Sequence, residues 1–422
     1  MVSRNLMLKA LVLAGPFLLF PFSRSFYVFF VAILAWGLIA ARGTSWRQVR
    51  APWLALLAFA LPIVWTVLGW TLFKGGPDAG WFSKMGVILL GSLLALATIT
   101  LSRDERIHAL AGAVISVAVG SWIVDGVLQL ATGHSVDCRG ELSACFTDDR
   151  VSLYFGDRAK LGYYMGLMVF FPACWLIGQR RLGAGILVLL AGGAVALAGG
   201  SRFTMLAFLV GALVLALTLV GQMRASLRLR LLLAAGIPLL GLLLGVAFYG
   251  LNPAFQARVA NTLVGFQGMD HDAWNQALSG RLDIWEPLLA MVRDNWLFGV
   301  GPGTLDAGIR PYLGAGNLFA DLKIYHAHQV VLDVLAATGL PGLAAFLAFY
   351  AWVAREFLRA CRAPIDLRWA ALLVFLLMWF PLNSPNGFYA SDMMLLTFYV
   401  LGLGFGFRPA PAAADAPRGS AA

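Results

Sequence analysis

Twelve long apolar segments, separated by shorter polar stretches, restrict what this sequence can fold into. About 20 apolar residues in an α-helix cross the roughly 30 Å of hydrocarbon in a bilayer. The chain of 422 residues is 60% hydrophobic and 12% charged, which is more apolar than ordinary soluble domains. We therefore predict an all-α polytopic membrane protein with about 12 transmembrane helices. The predicted spans are residues 6–22, 25–41, 52–73, 81–100, 107–131, 160–178, 182–198, 201–220, 229–250, 329–353, 369–382 and 388–407.

The distribution of lysine and arginine predicts which side of the membrane each loop faces. Arginines cluster in alternate short loops, as in Arg42, Arg47 and Arg50, and again in Arg180 and Arg181. Because short basic loops stay on the cytoplasmic side, both termini are predicted to be cytoplasmic. The net charge of +10 is then a topology signal and a contact with anionic membrane lipids, not a surface for nucleic acid.

This topology divides the chain into four regions. Residues 1–250 hold about nine N-terminal spans, and residues 251–327 form a large loop with helices on the outer side. Residues 328–407 hold three more spans, and residues 408–422 are predicted to be a disordered cytoplasmic tail.

The two outer loops carry local features of their own. In the large loop, Ser279 is predicted to cap a helix that carries Arg281 in its first turn. The shorter loop, from about residue 132 to 159, contains Cys138 and Cys145. These two cysteines are close enough in sequence to form a disulfide in an oxidising compartment.

Three basic side chains are predicted to lie at the outer face of the membrane. Arg202 and His328 each open a span at its outer end, and Arg281 lies in the large loop. Guanidinium presents a rigid fork of donors that matches phosphate oxygens, and imidazole titrates near neutral pH. Each residue also has a structural explanation, as a snorkelling anchor, a solvated helix residue or an interfacial hydrogen-bonding group. Together the three indicate a site for a phosphorylated group.

Four short motifs then give the chain a family resemblance. The matching residues are His328-Gln329 followed by Gly339 and Gly342, Ser201-Arg202, Gly280-Arg281 with Trp285, and Phe298-Gly-Val-Gly-Pro-Gly303. In this order and with this topology, the chain resembles the O-antigen ligases over nearly its whole length. These enzymes belong to a larger group of lipid-linked-glycan ligases and polymerases of bacterial envelopes.

The resemblance implies a glycosyltransferase of the bacterial inner membrane, similar in architecture to class C enzymes and active in lipopolysaccharide biosynthesis. It implies that a polysaccharide on undecaprenyl diphosphate is the donor and that the lipid A–core oligosaccharide is the acceptor, at the periplasmic face. His328 is then expected to be the base, and Arg202 and Arg281 to stabilise the departing diphosphate in place of a metal ion. No cofactor and no metal are expected, and a single displacement would invert the anomeric centre.

Five further polar residues keep two interpretations each. His326 either binds phosphate or lines the entrance to the site. Arg158, Lys160 and Arg24 border the outer side, where they are candidates to contact either the donor diphosphate or a core phosphate. Asp125 falls inside a span, where a carboxylate either pairs with an arginine near the cavity or supports proton movement in a transporter.

Three alternatives to the ligase interpretation follow from the same sequence. Asp270 and Asp272 form an Asp-x-Asp pattern that in many glycosyltransferases holds a divalent metal, although a wet turn or a helix cap is the favoured explanation. An O-antigen polymerase would use another lipid-linked chain as acceptor, and the His-Gln motif favours the ligase over it. A lipid or glycan transporter or flippase would place charges near the bilayer midplane, whereas most ionisable residues here lie at borders.

Overall fold

The computed structural model describes most of the chain as helices. The described residues are 4–19, 26–40, 50–73, 79–132, 164–198, 202–223, 226–251, 253–268, 270–314, 316–381 and 387–407. Within these ranges there is no β-strand, which confirms the predicted helical class. The α-helices are α1 Arg4–Leu19, α2 Tyr27–Ala40, α3 Arg50–Phe73, α4 Ala79–Leu101, α5 Glu105–Thr132, α6 Phe170–Gly178, α7 Leu182–Ala198, α8 Arg202–Gln222, α9 Leu227–Leu251, α10 Pro253–Gly268, α11 His271–Ala277, α12 Leu282–Asp294, α13 Leu305–Ile309, α14 Val330–Ala360, α15 Leu367–Met378 and α16 Ser391–Gly406.

Length and composition identify a multi-pass membrane protein. Five described helices are long and apolar enough to cross a bilayer: Trp53–Phe73, Gly80–Leu101, Arg106–Gln129, Met205–Gln222 and Val330–Ala360. Five shorter apolar helices accompany them: Tyr27–Ala40, Tyr164–Gly178, Leu182–Ala198, Leu367–Met378 and Ser391–Gly406. Large apolar side chains stand exposed on these helices, with Leu72 at 72% and Leu187 at 68%, as expected for surfaces that face lipid. The number of twelve spans stays a prediction.

Helix α16 is the centre of the membrane core. It packs most extensively against α4 and also against α15. The approach to α4 is close because Gly91 lies where a Cβ would stand 2.2 Å from the ring of Phe398. The Thr397 hydroxyl of α16 accepts a 2.9 Å hydrogen bond from the buried indole N–H of Trp379, beyond the end of α15. These contacts hold the beginnings of α4 and α16 at the same end of the bundle.

The predicted outer loop forms helices α10 to α13, of which α12 and α13 pack around a small apolar core. Ile284, Leu288 and Met291 of α12 are buried in this core with Ile309 and Ile324. These side chains recur every three or four residues along α12, the spacing of one helix face. The loop is therefore a packed unit that presents the start of α12 at a fixed position.

The predicted Ser279 cap of α12 is wrong. Ser279 adopts a left-handed conformation with φ of 60°, and the helix begins at Leu282 after Arg281, which forms no side-chain cap. The capping role belongs to Asn275, whose Oδ1 accepts the N–H of Leu282 at 3.1 Å. Its carbonyl accepts the N–H of Gly280 at 2.7 Å, and Gly280 has φ of 77°, which a glycine adopts without steric cost. Two consecutive left-handed residues thus turn the chain immediately before Arg281.

Helix α14 breaks at Gly339, and the break joins it to the outer loop. Gly339 has φ of 66° and ψ of −169°, and Pro341 carries no N–H to bond the carbonyl of Ala337. The N–H of Gly301 bonds that carbonyl at 2.9 Å, and the N–H of Val300 bonds the carbonyl of Ala336 at 2.8 Å. In return, the N–H of Leu340 donates to Trp296 at 2.8 Å. We call this main-chain pairing of residues 296–301 with residues 336–340 the α14 joint.

Helix α3 holds the other side of the same turn. Trp65 Nε1 donates to the carbonyl of Leu297 at 3.0 Å, Thr66 Oγ1 to that of Phe298 at 2.6 Å, and Trp70 Nε1 to that of Gly299 at 2.9 Å. Gly299 itself lies so near α14 that a Cβ would stand 2.5 Å from the carbonyl of Ala337. The Gly-rich turn of residues 298–303 therefore has a structural role, because it packs between α3 and α14 and is hydrogen-bonded to both.

Candidate functional site

An ion pair in the outer loop fixes the chain that leads into the two histidines. Asp306, in the first turn of α13, and Arg310, directly after its last residue, are joined at 2.8 Å. Asp306 Oδ1 also accepts the N–H of Ile324 at 2.9 Å, and Arg310 Nη2 donates to the carbonyl of Leu322 at 2.7 Å. The chain that leads to the histidines is thus hydrogen-bonded to Asp306 and Arg310 at Ile324 and Leu322, on both sides of Lys323.

The rings of His326 and His328 are in contact in a tilted arrangement. Their ring centroids are 3.9 Å apart with an interplanar angle of 59°, and the N–H of His328 donates to Nδ1 of His326 at 3.2 Å. His328 adopts a left-handed backbone conformation with φ of 55°. That conformation costs a non-glycine residue about 1–2 kcal/mol, so surrounding contacts must hold it.

Burial and positive charge keep both imidazoles neutral. Burial, and then the charge of Arg281, lower the pKa of His326 to about 4. Burial, then His326, then Arg281 lower the pKa of His328 to about 3. Near pH 7 each ring therefore carries one proton. Because Nδ1 of His326 accepts the backbone N–H of His328, the proton of neutral His326 is assigned to Nε2.

Arg281 supplies a positive charge that acts on both imidazoles. It lies directly before α12, half-buried, after the two left-handed residues Ser279 and Gly280. Its carbonyl accepts the N–H of Trp285 at 2.9 Å, which begins the first turn of the helix. The structure thus brings one predicted arginine close to both histidines, although their positions differ by more than 40 in the sequence.

Ala327, between the two histidines, is hydrogen-bonded through both its N–H and its carbonyl group. Its N–H donates to Oδ1 of Asp333 at 2.5 Å, and its carbonyl accepts the indole N–H of Trp285 at 2.8 Å. Ala327 is completely buried, so neither bond has water as a competitor. Trp285 lies one turn after Arg281, so the same indole fixes Arg281 relative to the histidines.

Gln329 gives a structural explanation for the second residue of the His-Gln motif. Its Oε1 accepts the N–H of Leu332 at 2.5 Å, which caps the first turn of α14. Its Nε2 donates to the carbonyl of Pro381 at 2.7 Å, beyond α15. Side chains that cap helices in this way carry a short polar acceptor, which Asn and Ser also supply.

Several predicted site residues lie outside the described part of the chain. Helix α8 begins at Arg202, but the side chain of Arg202 is not among the described atoms. The same holds for Arg24, Arg158, Lys160, Cys138 and Cys145, all of which fall in ranges that the structure does not describe. Their predicted roles stay predictions.

The Asp-x-Asp pattern belongs to a helix start. Oδ1 of Asp270 accepts the N–H of Ala273 at 2.7 Å and caps α11, which confirms the helix-cap interpretation of this residue. Asp272 is exposed and lies 3.3 Å from Nδ1 of His271. Among the described residues, no three His, Cys, Asp or Glu side chains are grouped as metal ligands. Asp125 is buried inside α5, the position that its sequence predicted.

Sequence reasoning missed two charged residues, Asp333 beside the histidine segment and Lys84 beside the start of α16. Asp333 lies in the first turn of α14, and Lys84 lies near the start of α4 with Nζ 3.4 Å from Ser391 Oγ. Gly387 connects this end of α16 to the site, because a Cβ there would stand 3.2 Å from the Cβ of His326. Both missed residues fall inside predicted spans. Ionisable residues inside a membrane span are often functional, and from the sequence this rule is applied only to Asp125. The same rule would also have identified Asp333 and Lys84 as candidates.

The assembled groups can accept a proton, donate a proton and stabilise an anion. A neutral imidazole at His328 has a lone pair, neutral His326 has an Nε2–H, and Arg281 has a guanidinium. All three lie outside the helices long enough to span a membrane, directly before the starts of α12 and α14. Such a set suits a reaction in which a hydroxyl loses a proton while negative charge develops on an anionic group.

Comparison with known families identifies the family that part of the chain matches. The O-antigen ligase family model matches residues 185–347, which are 163 of the 422 residues. This segment runs from α7 into α14 and contains Arg202, Arg281, both histidines and the α14 joint. A search of curated proteins found no match. By the family match, the chain carries the domain of an O-antigen ligase-type family.

Proposed function

We propose that this protein transfers O-antigen polysaccharide from undecaprenyl diphosphate to the lipid A–core oligosaccharide, at the periplasmic face of the bacterial inner membrane. The observation that carries the proposal is the pair of contacting, neutral histidines beside the positive charge of Arg281. The family match supplies the chemical class, since O-antigen ligases act on lipid-linked glycans. The reaction needs no metal in this proposal, because guanidinium groups stabilise the diphosphate.

His328 is the proposed base. Its neutral imidazole takes the proton from the acceptor hydroxyl as the hydroxyl oxygen attacks the anomeric carbon of the donor. The bond between that carbon and the diphosphate oxygen breaks at the same time, and its electron pair leaves with the diphosphate. Attack from the face opposite the leaving group inverts the anomeric centre.

Arg281 and Arg202 are the proposed stabilisers of the leaving diphosphate. Negative charge grows on the bridging oxygen as the glycosyl bond lengthens, and a fixed guanidinium lowers the energy of that state. His326 is the proposed neutral donor to a phosphate oxygen through Nε2–H. Arg158, Lys160 and Arg24 are proposed to bind the substrates further from the reacting carbon.

The bound donor would also tune the base. A pKa of about 3 makes His328 a weak proton acceptor in the free protein. A diphosphate beside Arg281 partly cancels the positive charge that lowers this pKa. The bound state should therefore have a His328 pKa above that of the free protein, closer to the working pH.

Reconstitution with an undecaprenyl-linked glycan and purified lipid A–core tests the proposal. We expect His328→Ala to reduce transfer by about 10²–10⁴-fold with the fold retained. His271→Ala is the matched control, because His271 is an exposed histidine of the same loop. Near-normal transfer by His328→Ala would remove His328 from the mechanism.

A polymerase remains the second candidate, because the same three groups could serve a lipid-linked acceptor. The two are separated by offering each acceptor alone. Transfer only to lipid A–core supports the ligase, whereas elongation of the lipid-linked chain without lipid A–core supports the polymerase.

A further inference from the structure

We propose that Asp333 and Trp285 are positioning residues that hold His328 in its left-handed conformation by bonding both sides of the Ala327 backbone. Neither residue touches a reacting atom in the proposed chemistry. The predicted loss of glycan transfer rests on the proposed function. The positioning of His328 can also be measured without any activity.

The first support is the geometry around Ala327. Asp333 Oδ1 accepts the Ala327 N–H at 2.5 Å, and Trp285 Nε1 donates to the Ala327 carbonyl at 2.8 Å. The carbonyl of Ala327 belongs to the peptide unit that it forms with His328. Rotation of that peptide, which would relax the φ of 55° at His328, would therefore break the bond to Trp285.

The second support is that Asp333 bridges two segments that touch the histidines. Its Oδ2 accepts the N–H of Phe388 at 3.4 Å, next to Gly387, which packs on His326. Asp333 is only 6% exposed. Burying a carboxylate costs free energy unless N–H groups bond to it. The burial of Asp333 therefore favours a structural role for its two hydrogen bonds. Its place in the first turn of α14 also lets the helix dipole favour the negative charge.

The third support is that Asp333 and Trp285 come from different elements. Trp285 belongs to α12, which begins beside Arg281, and Asp333 belongs to α14. The two hydrogen bonds to Ala327 therefore connect α12 to α14 and fix the distance between Arg281 and the histidines. A loss of either bond should disturb the pair and the arginine together.

Relaxation of His328 should be visible in its titration. The charged and titratable groups that face it are Arg281 before α12, His326 beside it and Asp333 in α14. When the backbone relaxes, the ring gains water and moves from Arg281, so its proton affinity should return towards that of an ordinary histidine.

The experiment compares Asp333→Ala, Asp333→Asn and Trp285→Phe with the control Asp366→Asn in the full-length protein. Asp366 is the matched control because it is a half-buried helix cap, bonded to the N–H of Trp369 at 2.9 Å, at the opposite end of α14. The activity-independent measurement is the rate of carbethoxylation of His328 by diethylpyrocarbonate, read by mass spectrometry. Only the neutral imidazole reacts, so the pH dependence of the rate reports the pKa.

We expect the His328 rate in the wild type to be flat from about pH 5 to pH 8, because the ring is already neutral there. In Asp333→Ala and Trp285→Phe, the rate should rise overall and fall off below about pH 6.5. Transfer should drop by about 10- to 100-fold in kcat, with a smaller change in the donor KM. Asp333→Asn should lie between, because its amide keeps one oxygen for Ala327. The double variant should lose less than the product of the single losses, since both bonds hold the same residue, Ala327.

A flat His328 profile in both Asp333→Ala and Trp285→Phe, in proteins that remain folded by thermal melting, would overturn the positioning role. So would an equal change in Asp366→Asn, which would indicate a general loosening of the bundle. If Asp333→Ala does not fold, Trp285→Phe and Asp333→Asn carry the test. A shifted His328 profile in a protein whose wild type transfers no glycan would support the positioning role and refute the proposed function.

Discussion

The assignment of the His326 proton to Nε2 can be tested with two substitutions. Each of them keeps a polar atom at only one of the two nitrogen positions of the imidazole. Asparagine places an oxygen near the position of Nδ1 and so keeps an acceptor for the His328 N–H, now 3.2 Å away. Glutamine places an amide nitrogen near the position of Nε2 and so keeps a donor for phosphate. His326→Asn therefore removes the donor, and His326→Gln removes the acceptor.

The expected magnitudes differ because one bond is to an anion and the other is not. A hydrogen bond to a charged group contributes about 1.5–3 kcal/mol, and a neutral one about 0.5–1.5 kcal/mol. At about 1.36 kcal/mol per factor of ten, His326→Asn should slow transfer by roughly 10- to 150-fold. His326→Gln should slow it by roughly 2- to 13-fold.

Single-turnover transfer with saturating donor is the suitable assay, because it isolates the chemical step from product release. Thermal melting of each variant shows whether the fold is retained. The reasoning is refuted if His326→Asn transfers at the wild-type rate while His326→Gln is inactive. That result would place the useful proton of His326 on Nδ1 and break the bond to His328 that the geometry indicates.

Three further predictions concern pH, metal and packing. Both histidines have a folded pKa below the usual 6.5, so the unfolded chain binds protons first as the pH falls. The melting temperature should decrease from about pH 6.5 towards pH 4, and the slope should flatten in His326→Asn/His328→Asn; an unchanged slope contradicts the low pKa values. A chelator should leave transfer unchanged, and activity that is lost with EDTA and restored by a divalent ion would implicate Asp270 and Asp272. Gly301→Ala should destabilise the fold by about 2 kcal/mol or more, because its Cβ would stand 1.9 Å from Trp81, whereas Gly314→Ala meets nothing within 4 Å and should be neutral. Equal melting temperatures for the two alanine variants would contradict the close packing of Gly301.

Periodicity and end signals were enough to predict the helices. The predicted span 182–198 coincides with α7, and α8 begins at Arg202, one residue after the predicted start. Local chemistry also predicted the cap at Asp270. These successes share a cause, because apolar runs and caps depend on residues within about one helical turn of each other.

The missed features depend on pairs that are distant in sequence. Asn275 replaced Ser279 as the cap of α12 because two left-handed residues bring its side chain back over the helix start. The bond from Trp285 to Ala327 spans 42 residues, and that from Phe388 to Asp333 spans 55. A single sequence gives no sign of such pairs. Composition placed Asp333 in a membrane span, and only the fold brings it to the backbone between the two histidines.

The α14 joint has a consequence for how proteins of this kind diversify. The three bonds that lock residues 296–301 to residues 336–340 are made by peptide groups, so most of their side chains are free to change in chemistry. Glycine is required only at the few points of backbone crowding, Gly299, Gly301 and Gly339. The side chains of the surrounding surface can therefore change while the two backbone segments keep their spacing.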